Sequence, residues 1–198
     1  IDTFIGCAIA WFAVSFIWPD WDFRNISNTI KNASDATLNY FNAICEQYQH
    51  GKNNSLAYRS ARRTAHNAQT ELANMISSLS TEPNPNPELV HHAFRYLVYS
   101  HSQLSYISAL GSHRELVQDT QVLELMLWCK NTLNHVLLHQ QALAELDIQQ
   151  KLAEIKRLNA QETMSPNLHL VLKQISLLLE TLPELLKLKT ELLARDIK

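Results

Sequence analysis

Apolar positions recur every three or four residues along most of the chain, and no stretch alternates with the period of a strand. Ile26, Ile30, Ala33, Thr37, Tyr40, Phe41, Ile44 and Tyr48 share one stripe, which predicts a helix from about Asp22 to His50. A second stripe holds Leu56, Ala57, Ala61, Ala65, Ala68, Leu72, Met75, Ile76 and Leu79, and its alanines allow a neighbouring helix to approach closely. A third helix is expected from Pro87, capped by Asn86 and buried through Val90, Phe94, Leu97, His101, Leu104 and Ile107. The fourth runs from about Asp119 through Val122, Met126, Cys129, Leu133, Val136 and Leu137. Leu143, Leu146, Leu152, Ile155 and Leu158 belong to a fifth, whose boundary with the fourth the pattern leaves open. A sixth opens at Pro166 with Leu170, Ile175, Leu178 and Leu179, and Pro183 is expected to break or kink it ahead of Leu185. Together these stripes predict an all-α antiparallel helical bundle.

The first eighteen residues have a different character. Thr3 to Trp18 is a run of sixteen residues without a charge, which as a helix covers roughly 24 Å of the ~30 Å hydrocarbon core of a bilayer. It reads as the C-terminal end of a transmembrane helix, with Trp18 and Trp21 at the headgroup level and Pro19 separating span from bundle. Residues 1–18 then form one unit and residues 19–198 a helical domain. A signal peptide fits poorly, because the segment begins with Asp2 and ends in tryptophan. A buried core helix is the remaining alternative.

Glycine is scarce, with three in 198 residues. Gly51 and Gly111 stand where helical patterns end, and both are expected as C-caps. Seventeen basic and nineteen acidic residues give a net charge of −2, which offers no basic excess for a nucleic-acid partner. Cys7, Cys45 and Cys129 lie far apart and form no paired motif, in keeping with a reducing compartment.

Arg59, Arg62, Arg63 and His66 fall at helical spacing in the second stripe. Such a cationic row suits an anionic small molecule, a lipid headgroup or an acidic partner. An ordinary solvated face paired with Asp35, Glu46 or Glu71 is the competing reading. His113 and Arg114 follow the expected end of the third helix, where cations satisfy terminal carbonyls or contact a membrane part. His135 and His139 stand four apart, but the sequence between them lacks the glutamate of the zinc-protease motif, so no metal site is expected. Adjacent His91 and His92 diverge on a helix. No Gly-x-Ser-x-Gly, Cys-x-x-Cys or glycine-rich phosphate loop is present, and neither an enzyme nor a cofactor is expected.

Ile5 to Trp21, Leu56 to Asn67, Ser80 to Pro83 and Ile107 to Arg114 resemble the C-terminal part of the YccS/YhfK branch of the FUSC superfamily. That superfamily of bacterial inner-membrane proteins includes fusaric acid resistance and aromatic carboxylic acid exporters. The resemblance covers essentially the whole chain and is specific over the first 114 residues. It implies a last membrane helix ending near Trp18, a cytoplasmic domain over residues 19–198, and a protein that exports small aromatic or other organic acids. The domain would act in assembly, gating or substrate capture, with its own membrane part and further copies of itself as partners. A membrane-tethered scaffold or oligomerisation domain without a transport role is the alternative. Leu185, Leu186, Leu188, Leu192 and Leu193 would favour it if they formed an exposed stripe.

Overall fold

In a computed structural model, residues 5–7, 11–12, 26–52, 56–81, 85–112, 116–139, 145–161 and 164–195 are described. Beyond the helical residues at the chain start, six helices follow one another among the described residues: α1 (Ile26–His50), α2 (Leu56–Leu79), α3 (Pro87–Ser112), α4 (Thr120–His139), α5 (Glu145–Asn159) and α6 (Pro166–Arg195). No strand occurs among the described residues. The helical period of the apolar residues therefore carries through to an all-α bundle.

Local chemistry fixes the helix ends. Asn86 Oδ1 accepts the backbone N–H groups of Glu88 and Leu89 at 3.1 and 3.3 Å, and Asp119 Oδ1 accepts those of Gln121 and Val122 at 2.9 and 3.1 Å. Each side chain satisfies donors that the first turn leaves without an intrahelical partner. At the other end of α1, Gly51 takes φ +90°, the left-handed conformation that stops a helix.

Gly111 does something else. It is not a cap, because α3 continues to Ser112, and its backbone does not adopt positive φ among the described glycines. Its value is the absent side chain: a Cβ there would stand 2.8 Å from Tyr40 Oη and 3.0 Å from Tyr58 Oη. Glycine allows α3 to meet α1 and α2 at this point.

Helix α1 lies at the centre. Fourteen of its 25 residues are buried, more than one amphipathic stripe provides, and it packs against α2, α3, α4 and α6. Every residue predicted for its stripe is buried, and so are Leu38 and Cys45. Neighbour contacts give the directions. Tyr40 touches Tyr58, Ser34 touches Tyr96, and Tyr48 Oη donates to the Leu110 carbonyl at 2.8 Å. Helix α1 thus runs parallel to α3, while Tyr58–Gly111 and Gln69–Ser100 set α2 antiparallel to α3 and so to α1. The pairs His92–Glu191, Arg95–Glu184 and Gln103–Leu178 set α6 antiparallel to α3.

Several expectations are corrected. The buried face of α3 is Leu89, Ala93, Tyr96, Ser100, Gln103, Leu104, Ile107 and Leu110, whereas Phe94 and His101 are exposed. Leu56 and Ala57 are exposed, and Tyr58 takes the buried place in that turn. Helix α6 continues through Pro183 without a break. Leu185, Leu188 and Leu192 are buried in it and Leu186 and Leu193 half-buried, so this leucine stripe is core and offers no free face. Residues 140–144, between α4 and α5, lie outside the described residues.

At the chain start, Ile5, Trp11 and Phe12 are helical and exposed, at 52, 68 and 53%. Among the described residues no helix is long and apolar enough to cross a membrane. Trp18, Trp21 and the proposed division after residue 18 lie outside the described residues.

Candidate functional site

The cationic row on α2 divides into two parts. Arg59, Arg62, Arg63 and His66 are all exposed, and no ion pair joins them to Asp35, Glu46, Glu71 or any other carboxylate among the described residues. Arg62 acts electrostatically on both His66 and Tyr40, residues at the seam between α2 and α1. Arg59 and Arg63 belong to the outer side, with Leu56. His113 and Arg114 lie outside the described residues.

Behind Arg62 sits a cluster of phenols. Tyr40 and Tyr58 rings are 5.7 Å apart between centroids, with their hydroxyls at 3.3 Å, and Tyr58 Oη donates to the Gly111 carbonyl at 3.4 Å. Burial raises the Tyr40 pKa above its ordinary 10.0, with the Tyr58 hydroxyl adding to the rise while Ser108 and Arg62 offset part of it. Tyr40 is therefore a neutral hydroxyl at physiological pH, and it lies 6.3 Å from the His66 ring between centroids.

Between α2 and α3 runs an open groove of about 460 Å³. Ala73, Leu97, Val98 and Leu104 give it an apolar floor, while His66, Gln69, Thr70, His101 and Ser102 supply polar positions. No carboxylate lines it. The His66 pKa is held below 6.5, first by partial burial, then by the charge of Arg62, then by His101. The groove lining holds no carboxylate to offset the Arg62 charge. Gln69 lies beside them, buried, with its Oε1 accepting the Ser100 hydroxyl at 3.0 Å and its Nε2 without an acceptor. A groove of this size is within the ~300–1,000 Å³ range of small-molecule sites, and its chemistry suits an anion attached to an apolar body.

Sequence reading found Arg62 and His66 but assigned His101 to the core and did not single out Gln69. Their convergence depends on how α2 and α3 pair, which a one-dimensional pattern does not carry. Other candidates do not assemble. Ser108 Oγ lies 3.5 Å from His66 Nε2, a long contact for a hydrogen bond. His135 is exposed, and the side chain of His139 lies outside the described residues. The His91 and His92 rings are 6.0 Å apart between centroids. Among the described residues no group of three His, Cys, Asp or Glu could hold a metal ion.

The fold and the groove define a helical bundle domain, and homology supports its being a domain of a membrane protein. The chain belongs to the family of the inner membrane protein YccS of Escherichia coli K12, with which it is 44% identical over 194 residues, or 97% of this chain. It spans only 27% of that protein's length. An uncharacterised protein of Haemophilus influenzae is 38% identical over 121 residues, covering 61% of this chain and 17% of that protein. An uncharacterised protein, ORF2, of Neisseria gonorrhoeae is 34% identical over 112 residues, covering 56% and 27%. No protein-family model matches the chain, and no solved structure matches it significantly.

Proposed function

We propose that this chain is the cytoplasmic domain of a FUSC-type inner-membrane transporter and supports efflux of small, largely apolar organic acids. Its part is capture: the α2–α3 groove takes the apolar body of the acid while Arg62, His66 and His101 face its carboxylate. The observation that carries this reading is a groove with an apolar floor, two imidazoles and no carboxylate in its lining, beside the charge of Arg62. A guanidinium and two imidazoles give a carboxylate directional donors, and the floor gives an aromatic or aliphatic body somewhere dry to sit. The reading assigns the domain no catalytic chemistry and no cofactor.

Benzoate titrated into the full chain tests the site, with the imidazole resonances of His66 and His101 as the readout. Both are expected to shift on binding, and Arg62→Ala is expected to weaken binding by roughly tenfold, the effect of losing one charged hydrogen-bonding partner. Because the His66 pKa lies below 6.5, binding should tighten as pH falls below 6.5 and the imidazolium forms. Benzoate that leaves both imidazoles unmoved would remove the groove from the function. In cells, the full-length protein should lower accumulation of the acid, and Arg62→Ala should weaken that effect.

A second reading, a membrane-tethered scaffold that joins copies of itself, draws on Phe94 and Val98, which are 38 and 62% exposed on α3. Sedimentation separates the two. A dimer that Val98→Ser dissociates, in a chain that ignores benzoate, would replace the first reading.

A further inference from the structure

The outer side of α2 goes beyond the groove. Leu56, Arg59 and Arg63 are spaced three and four residues apart, which places them on one face of the helix. Ala65, Leu72 and Ile76 occupy the opposite, buried face. Leu56 is 75% exposed, and Arg59 and Arg63 are exposed with it. From Leu56 to Thr70 the sequence holds three arginines and no acidic residue, Glu71 being the first. Exposed Lys52 precedes the helix. Neither Arg59 nor Arg63 forms an ion pair among the described residues, so the fold does not use their charge. A protruding leucine flanked by unneutralised arginines is the composition of a helix that lies against a charged lipid interface. The chain belongs to a family that includes an inner membrane protein, which puts such an interface within reach.

We infer that the outer face of α2, through Leu56, Arg59 and Arg63, rests on the anionic phospholipid headgroups of the membrane to which this protein belongs. Leu56 enters the headgroup–acyl boundary, and the two guanidiniums pair with phosphate oxygens. Lipid is favoured over an acidic protein because the face presents two separated charges beside one apolar anchor rather than a pocket or fork for particular carboxylates. The contact would fix which side of the bundle faces the bilayer and leave the groove, on the α3 side of α2, open to the aqueous phase.

Vesicle partitioning of the full chain tests this. An apolar run such as the one at the chain start would bind neutral and anionic bilayers alike, so the quantity to read is the gain on adding phosphatidylglycerol to phosphatidylcholine. Wild type should show that gain and lose it at high salt. Arg59→Ala with Arg63→Ala should reduce it by about 30-fold, from the usual strength of two basic side chains at an anionic surface, with helicity and melting unchanged. Arg59→Lys with Arg63→Lys should keep it, because headgroup attraction tolerates a point charge. Equal gain in wild type and the double alanine variant overturns the proposal. Loss in the lysine variant as complete as in the alanine variant also overturns it, in favour of a bidentate carboxylate partner. Arg62→Ala separates the two sites: it should weaken benzoate binding and keep the lipid gain.

Discussion

At Gly111 the space for a single methyl group decides how three helices meet. Replacing it with alanine should raise helix propensity by ~1 kcal/mol, yet the new Cβ would press on Tyr40 Oη, Tyr58 Oη and Ile44 Cδ1 at 2.8, 3.0 and 3.2 Å. Overpacking of a buried site costs about 1–3 kcal/mol, and the Tyr58 hydroxyl loses its alignment with the Gly111 carbonyl. Gly111→Ala is therefore expected to lower unfolding free energy by on the order of 1 kcal/mol, measured by urea denaturation, whereas a cap glycine away from other helices would show no packing loss. The same letter in the sequence served two purposes. Gly51 was legible as a cap because its role is local, a backbone dihedral. Gly111 was not, because its role depends on Tyr40 and Tyr58, which are distant in sequence.

Among the elements, α3 shows how polar side chains select a buried face. Counting apolar residues favours Val90, Phe94, Leu97 and His101, but the helix buries the face one position earlier, carrying Ser100 and Gln103 inward. Both find partners there. Ser100 donates to Gln69 Oε1, and Gln103 Nε2 donates to the Leu178 carbonyl and to Thr181 Oγ1, each at 2.9 Å. Thr181 in turn donates to the Leu177 carbonyl at 2.8 Å. These contacts gather in the turn of α6 just before Pro183, which has no N–H to continue the ladder. They tie α3 to α6 one turn ahead of the proline. Gln103→Leu keeps the volume and removes the donor, so it should cost roughly 1–2 kcal/mol in a urea melt. Phe94→Ala, on the exposed face, should stay within ~0.5 kcal/mol. Periodicity made the helices legible, but the burial of a glutamine becomes legible only when its acceptors are known.

Across the whole molecule, buried ionisable groups set the response to pH. Burial pushes Cys45 and Tyr96 each up to about 12, and raises Cys129 and Tyr40 as well. Their unfolded forms ionise near 9.0 for cysteine and 10.0 for tyrosine, so above those values the unfolded chain holds fewer protons and stability falls as pH rises. Lys189 acts in the opposite sense. It is buried on α6 and donates to the Leu137 carbonyl near the end of α4 at 2.9 Å. Burial lowers its pKa below 10.5, with Asp35 restoring part of the loss. Between that lowered value and 10.5 the unfolded chain holds the extra proton, so this group alone raises stability with pH. Four acids outweigh one base, and the net alkaline response is a decline. Lys189→Met removes the opposing slope, so its urea midpoint should fall more steeply than that of wild type as pH rises toward 10.5. The fold class was legible because each helix repeats its own stripe. Lys189 was not singled out, since a lysine in a leucine-rich helix has the pattern of a solvated charge until α4 is brought to its side.

The central position of α1 also has a consequence in time. Of the six helices it leaves the ribosome first, and α6 leaves last. Helix α2 can cover one side of α1 early, and α3 follows it, but the surfaces that α4 and α6 bury stay open until nearly the whole domain has been made. Leu185, which lines a small cavity with Ser34, Thr37 and Leu38 of α1, arrives only with α6. Until it arrives, the nascent chain carries an apolar core helix with part of its surface in water, the state most prone to wrong association. The first helix of the bundle must therefore wait for the last before it is fully protected.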